Sequence, residues 1–555
     1  MNKNIWLKQY RSITVPVLLF LLGLIFSAAF LPENPVWITD NGNKEMIARN
    51  FLEHGTIFFS HELPENFPRG GFHFLTLPDG KISSFHSPYL PVLTAYLYPV
   101  AGDFCWNLLP LLALAALAAV MMKFPGKKRY LLAAALGTPL LFYGLQFWEM
   151  VPAAFMVTLS AWLFCRKKVE ASGLVFGLGV WMREELYLLG AGVLIALIIE
   201  RKWREIWRFG LGAALPVLAL WVTNYLLFGN IAGMHGAEYF VNNRESGTPV
   251  FSLKETVFNF YQHIIRFETA GRWSMALAIA ALIPSFAAGM MPEYRSKKNF
   301  KTAAGVIFAL ISALLAVMLW QKKEYLLVSA GTFGLFLSIP ILGLFLLNLR
   351  PLLTDKRQLV RLGTGVVIFY ILTIPFLLNP HDIGLTWGAR HFIMVIPVMM
   401  VLTVYAFHRQ GGFSDNRKWL FRVLCAVGVF MQIYALTALV KVTESTSIFQ
   451  EEILAQKAPV VISDLFFIPE MIPQTASAKL HLEVTGQKQL DSVLAYLEEK
   501  KIREAVLILS PDYRQISNET LRRLLRHYPP AMKPVEHKLG NSIRVMYTIL
   551  RKPRS

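Results

Sequence analysis

Hydrophobic residues along this chain gather into long runs separated by short polar joints. The first run, Ile13 to Leu31, follows Lys3, Lys8 and Arg11. It is long enough to span a bilayer, which takes about 20 residues. More runs follow it, so it reads as an uncleaved first span with the N-terminus inside. Further spans are predicted near 106–122, 130–147, 150–165, 173–199, 209–228, 273–291, 302–320, 325–348, 361–378, 390–407 and 418–440. The 173–199 run holds Arg183, Glu184 and Glu185 at its middle. A single span would bury all three, at about 2.5–3.5 kcal/mol for a residue such as Arg. Two short helices meeting at the outer face avoid that cost, and the count becomes about 13.

Two stretches break the pattern. Residues 32–105 are polar and rich in Pro and Gly, with eight acidic and four basic residues, and read as a large external loop. Within it, Pro88 to Val100 is apolar and aromatic but too short to span, and reads as an interfacial helix. Residues 441–555 change texture again. Pro459 to Asp464, Ala505 to Leu509 and Ile543 to Leu550 have strand patterning, while Gln489 to Lys501 and Asn518 to His527 have helical patterning. The expected fold is therefore a mainly α polytopic membrane bundle, residues 1–440, followed by a small extracytoplasmic α/β domain, 441–555. No glycine-rich nucleotide loop marks that domain.

Composition narrows the function classes. Of the 555 residues, 55% are hydrophobic and only 16% charged, against about 25% charged in soluble domains. A soluble enzyme and a disordered chain are both excluded. The net charge of +19 suggests nucleic acid until the charges are placed. Clusters such as Lys123/Lys127/Lys128/Arg129, Arg166/Lys167/Lys168, Arg201/Lys202/Arg204/Arg208 and Arg295/Lys297/Lys298/Lys301 occupy the loops assigned to the inside, as the positive-inside rule requires. Lys322 and Lys323 are a mild exception. An odd count puts the C-terminus outside. Cys105, Cys165 and Cys425 are far apart, which argues against a disulfide framework or a zinc site.

The polar residues of the outer face carry the candidate chemistry. Asp40 lies just beyond the first span and opens an amphipathic helix containing Asn41 and Lys44. Thr39 or Asp40 could simply cap that helix. His86 lies in Phe85-His-Ser-Pro-Tyr-Leu-Pro91, which alone is an interfacial turn. Glu149 ends a span beside Trp148, where an aromatic belt would also place a solvated acid. Arg183, Glu184, Trp387, Arg390 and His391 stand at other span ends, where charges often serve structure.

Taken together, an Asp after the first span, the Ala48-x-Asn50-x-Leu52-x-x-Gly55 helix, the His86-Ser-Pro-Tyr-Leu-Pro91 turn, Gly177-Leu-Gly-Val-Trp-Met-Arg183-Glu184 and Gly388-Ala-Arg390-His391 resemble the GT-C superfamily of polytopic glycosyltransferases. That class includes protein O-mannosyltransferases and lipid A aminoarabinose transferases. The resemblance covers roughly residues 12–407. It implies transfer of a sugar, hexosyl or pentosyl, from a polyprenyl-phosphate donor to an envelope glycan, lipid or protein acceptor at the outer face of the cytoplasmic membrane. Asp40 would be the base, with Glu149 orienting base or acceptor. Arg390, Arg183, Lys44 and His86 would meet the donor phosphate, and Asn41, Glu184, Trp387 and His391 would line the substrates. Asn41 stands where several families carry a second acidic residue, so no metal or other cofactor is assigned. The competing reading is a flippase for lipid-linked saccharides or another transporter. No internal repeat of the transporter kind is visible, and the charges cluster at one face beside a polar loop. A sensor protein would leave Asp40, Glu149 and Arg390 without a role.

Overall fold

A computed structural model of the chain describes residues 3–553, except 33–35, 37, 60–73, 77–80, 85, 125–127, 234–252, 267–272, 292–297, 322–333, 378–388, 410–414, 466, 513 and 540–542. The chain forms two compact units. One comprises Met1–Ala29, Asn107–Ile231 and Val241–Ala438, and the other Phe30–Trp106, Ala232–Phe240 and Leu439–Ser555.

The first unit is helical. Among the described residues of the chain, five helices are long and apolar enough to cross a membrane: Tyr98–Met121, Trp203–Phe228, Asn299–Gln321, Gln358–Phe376 and Lys418–Ala455. Six shorter apolar helices accompany them: Pro16–Phe30, Met150–Cys165, Val169–Met182, Leu186–Ile199, Ser274–Met290 and Ile396–His408. Two expected spans have no helix of that length. Residues 130–147 divide into Lys128–Leu136 and Leu140–Gly144 around Pro139, whose missing N–H cannot continue a helix. The 325–348 run is broken at Pro340, and its first part lies outside the described residues.

The break expected at Arg183 occurs. The helix Val169–Met182 stops where Arg183 turns extended (φ −145°, ψ 117°), and Leu186–Ile199 begins three residues later. Val169–Met182 runs against Trp203–Phe228 at backbone contact. A Cβ on Gly173 would lie 2.1 Å from the Phe209 carbonyl oxygen. Four residues on, Gly177 keeps the same face small, the spacing that lets membrane helices approach closely. Trp181 Nε1 donates to the Pro216 carbonyl, 2.9 Å, across the same seam.

The second unit is built on a five-stranded sheet. Its order is Leu480–Glu483, Val460–Ser463, Glu504–Leu509, Ile543–Arg551, Val535–Leu539, with the first three parallel and the last two joined antiparallel. Side chains alternate between faces along a strand, and two cores follow. Val460, Ile462, Ala505 and Leu507 pack with Leu490, Val493, Leu497 and Leu524 of the helices Gln487–Glu499 and Asn518–His527. Val461, Val506, Ile508 and Val545 pack on the other face with Phe449, Ile453, Ile468 and Ile472. The strands and helices expected in the tail are all present. Two edge strands, Leu480–Glu483 and Val535–Leu539, are additions. The same unit contains the helix Thr39–His54, which packs on Ile468–Met471 and Pro473–Ala478.

Candidate active site

Asp40 belongs to the first turn of the helix Thr39–His54 but does not cap it. Ile38 holds the cap position, extended at φ −145°, ψ 173°, and its N–H donates to Asn41 Oδ1, 3.4 Å. Asp40 sits two residues in, where the positive end of the helix dipole favours a carboxylate. Its side chain is 16% exposed, and His86 Nε2 lies 3.9 Å from its Oδ1. The His86 backbone N–H donates to Ser84 Oγ, 3.0 Å, at the end of the strand Ile82–Ser84, which pairs antiparallel with Phe74–Thr76.

This helix is not amphipathic in the expected sense. Eight consecutive residues, Asn41 to Ala48, are buried, four of them polar or charged. Asp40, Asn43 and Lys44 share one face, since positions three and four apart meet on a helix. Lys44 is 1% exposed. Asn43 Nδ2 donates to Glu470 Oε1, 3.2 Å, a contact between residues 427 apart in sequence. Burial pushes the Glu470 carboxyl well above the usual carboxylate range; the Asn43 bond opposes this and the Asp40 charge adds to it. On the helix's other side, Arg49 Nε donates to Glu45 Oε1 at 2.7 Å and its Nη2 to Asp103 Oδ1 at 2.6 Å. Burial raises the Glu45 carboxyl against the pull of Arg49.

A second constellation lies in the helical unit. Arg183 Nη1 donates to Glu149 Oε1, 2.7 Å, and its Nε to Glu185 Oε2, 2.9 Å; its Nη2 also donates to Glu185 Oε1. Glu149 is brought there because it immediately precedes the helix Met150–Cys165, and Arg183 because it interrupts the next one. Arg390 and His391 form a buried 3₁₀ turn before Ile396–Arg409. Arg390 Nε donates to His391 Nε2, 3.1 Å. That nitrogen therefore carries the lone pair and Nδ1 carries the proton, facing Glu185 Oε1 at 3.4 Å. Tyr370 Oη donates to the His391 carbonyl, 2.9 Å, and the His263 ring meets that of His391 edge to face, centroids 5.4 Å apart. His263 lies in a short π-helix, Tyr261–Ile265, a form often found where function distorts a helix.

The sequence-derived residues thus fall into two sets, Asp40, Asn41, Lys44 and His86 in one unit and Glu149, Arg183, Glu184, Arg390 and His391 in the other. Glu185, rather than Glu184, meets both Arg183 and His391. Trp387 lies outside the described residues. Among the described residues, no group of three His, Cys, Asp or Glu side chains could hold a metal ion.

No family model matches the chain, and no curated protein matches it. Among solved structures, it is similar to ArnT from Cupriavidus metallidurans bound to undecaprenyl phosphate, at 11% identity over 98% of each chain with a TM-score of 0.41. It is similar also to ArnT from Cupriavidus metallidurans in the apo state, at 12% identity, 98% of each chain and a TM-score of 0.41.

Asn43, Glu185, His263 and Glu470 join these sites without having been assigned a site role from the sequence. A signal existed for Asn43, three residues after Asp40 on the same helical face, and for Glu185, two after Arg183 at a helix break. None existed for Glu470.

Proposed function

We propose that the protein transfers a sugar from a polyprenyl-phosphate donor to an acceptor hydroxyl or amine at the outer face of the cytoplasmic membrane. The observation that carries this is the setting of Asp40. It is a part-exposed carboxylate in the first turn of a helix whose next eight residues are buried, not the cap, and it faces His86 at 3.9 Å. A carboxylate so held suits a general base better than a structural end group.

In the reaction, the acceptor oxygen or nitrogen attacks the anomeric carbon while the bond from that carbon to the lipid phosphate breaks. The electron pair leaves on the phosphate, the acceptor proton passes to the Asp40 carboxylate, and configuration inverts. Glu149 orients acceptor or base. Arg390, with its Nε fixed on His391, meets the leaving phosphate, for which a guanidinium offers paired donors. Arg183, Lys44 and His86 are further candidates for the donor phosphate. Asn41, Glu184 and His391 are the candidates for contact with the substrates. The C-terminal domain is extracytoplasmic and the N-terminus cytoplasmic.

Asp40→Asn in purified protein, supplied with a synthetic polyprenyl-phosphate sugar and acceptor, tests the proposal. Since Ile38 holds the cap, the substitution leaves the cap in place, and the carboxylate's interaction with the helix dipole is worth about 0.3–1 kcal/mol. Normal folding with a rate loss of roughly 10²–10⁴ is expected. Near-normal turnover would remove Asp40 from the mechanism.

A further inference from the structure

A cavity of about 620 Å³ opens within the helical unit. Lys123, Arg166 and Arg357 line it, all three exposed and all in loops whose basic character marks one side of the membrane. Among the described residues, no acidic side chain lines it. Its walls run inward from that basic end along several helices. Val157 lies nine residues before Arg166, Val367 ten after Arg357, and Val395 ten before Tyr405, whose ring lies under the Arg357 guanidinium at 5.4 Å. At 1.5 Å per residue the apolar shaft is about 14–15 Å deep. That is half of the roughly 30 Å hydrocarbon thickness of a bilayer, the depth of one leaflet.

The shape and charge together select an occupant. Three cations at the mouth call for an anionic headgroup, and a shaft one leaflet deep calls for an acyl chain. Basic pockets between membrane helices on the positive side are the usual seat of such lipids. We propose that this cavity is a binding site for an anionic glycerophospholipid of the leaflet that adjoins the basic loops. Its phosphate rests among Lys123, Arg166 and Arg357, and a chain descends past Val157, Val367 and Val395. Its basic mouth is separate from the charged constellation around Arg183. Glu149 and Arg166 flank opposite ends of the helix Met150–Cys165, which sets them about 25 Å apart along its axis.

The chain carries its own reporter. Cys165 lines the cavity and is exposed, whereas Cys105 and Cys425 are buried. The purified protein in detergent is alkylated with a maleimide, alone or with phosphatidylglycerol, phosphatidylcholine or a polyprenyl phosphate added at equal concentration. Phosphatidylglycerol is expected to slow alkylation at Cys165 at least fivefold and to raise the unfolding temperature by mass action; phosphatidylcholine is not. Each of Lys123→Gln, Arg166→Gln and Arg357→Gln is expected to weaken the phosphatidylglycerol effect about fivefold. These side chains are exposed, so the variants are expected to fold. The ratio of rates with and without lipid is compared within each variant, because Arg166 adjoins the thiol. Equal protection by phosphatidylcholine, stronger protection by polyprenyl phosphate, protection that survives the triple variant, or no protection by any lipid would each overturn the proposal.

Discussion

A Cβ placed on Gly42 would lie 1.5 Å from the carbonyl oxygen of Glu470. The helix that carries Asp40 and the short helix Ile468–Met471 are therefore in backbone contact, and only glycine fits between them. The Asn43–Glu470 hydrogen bond sits one residue along the same seam. The polar tail, which has no motif of its own, thereby holds the helix on which the candidate base stands.

Gly42→Ala is expected to abolish proper assembly of this unit. Overpacking a filled core costs typically 1–3 kcal/mol, and here the obstacle is backbone, which cannot rotate away. Gly55 gives the contrast. It caps the same helix at φ +66° with nothing within 4 Å of its missing Cβ, so Gly55→Ala meets only the left-handed penalty of about 1–2 kcal/mol. The yield of monodisperse protein after detergent extraction compares the two. Equal yields would show that the seam at Gly42 can open.

Glu470 holds the helix that carries Asp40 through its bond from Asn43. Glu470→Gln keeps an oxygen that can accept from Asn43 and carries no charge, matching the protonated form that burial favours. It is expected to retain most of the turnover. Glu470→Ala leaves Asn43 Nδ2 unsatisfied, a cost of about 1–3 kcal/mol, and is expected to lower kcat more than it raises KM for the donor. A Gln variant as impaired as the Ala variant would mean that the ionised carboxylate itself is required.

Much of the architecture was legible in the apolar runs because membrane helices and buried strands are long or strongly patterned. The break at Arg183 was legible too, since three adjacent charges cannot lie at mid-membrane. The edge strands Leu480–Glu483 and Val535–Leu539 were not. Val535-Glu-His-Lys-Leu539 alternates half-buried and exposed side chains and has no apolar face dense enough to register. Pro139 and Pro340 divide runs whose composition alone looked continuous. In the site, Asp40 and His86 were both visible as polar residues of one loop, and the structure brings them to 3.9 Å. Glu470 was invisible because its role depends on a tertiary contact with Asn43 and Gly42.

Acid should favour the tail's fold, through Glu483. Burial, with the Asp464 charge adding, pushes its carboxyl up to about 7, against about 4.3 for an unperturbed glutamate. The folded chain then binds more protons than the unfolded one between those values. This contribution is fully present below the unfolded value and is lost as pH rises toward 7. Asp464, also raised by burial, acts in the same direction. Thermal unfolding of the purified protein between pH 4.5 and 7.5 should show the decline, and Glu483→Gln should reduce its slope. An unchanged slope would mean that Glu483 is ionised in the fold.

Arg183 is held between Glu149 and Glu185, and this geometry separates a structural role from a phosphate-binding one. Removing one partner of a buried ion pair costs about 3–5 kcal/mol, whereas replacing the whole group by neutral side chains is often close to neutral. Arg183→Ala leaves two carboxylates facing each other and is expected to be poorly folded. The triple variant Arg183→Met, Glu149→Gln, Glu185→Gln is expected to recover thermal stability. Arg183→Lys should fall between them, because an ammonium lacks the planar fork that now serves both acids. Turnover then decides the second question. If Arg183 also meets the donor phosphate, the triple variant should lose activity beyond what Glu149→Gln loses alone, while Arg183→Lys keeps partial activity with a raised donor KM. A triple variant that regains near-normal kcat/KM would assign Arg183 to structure alone and leave Arg390 as the guanidinium of the reaction.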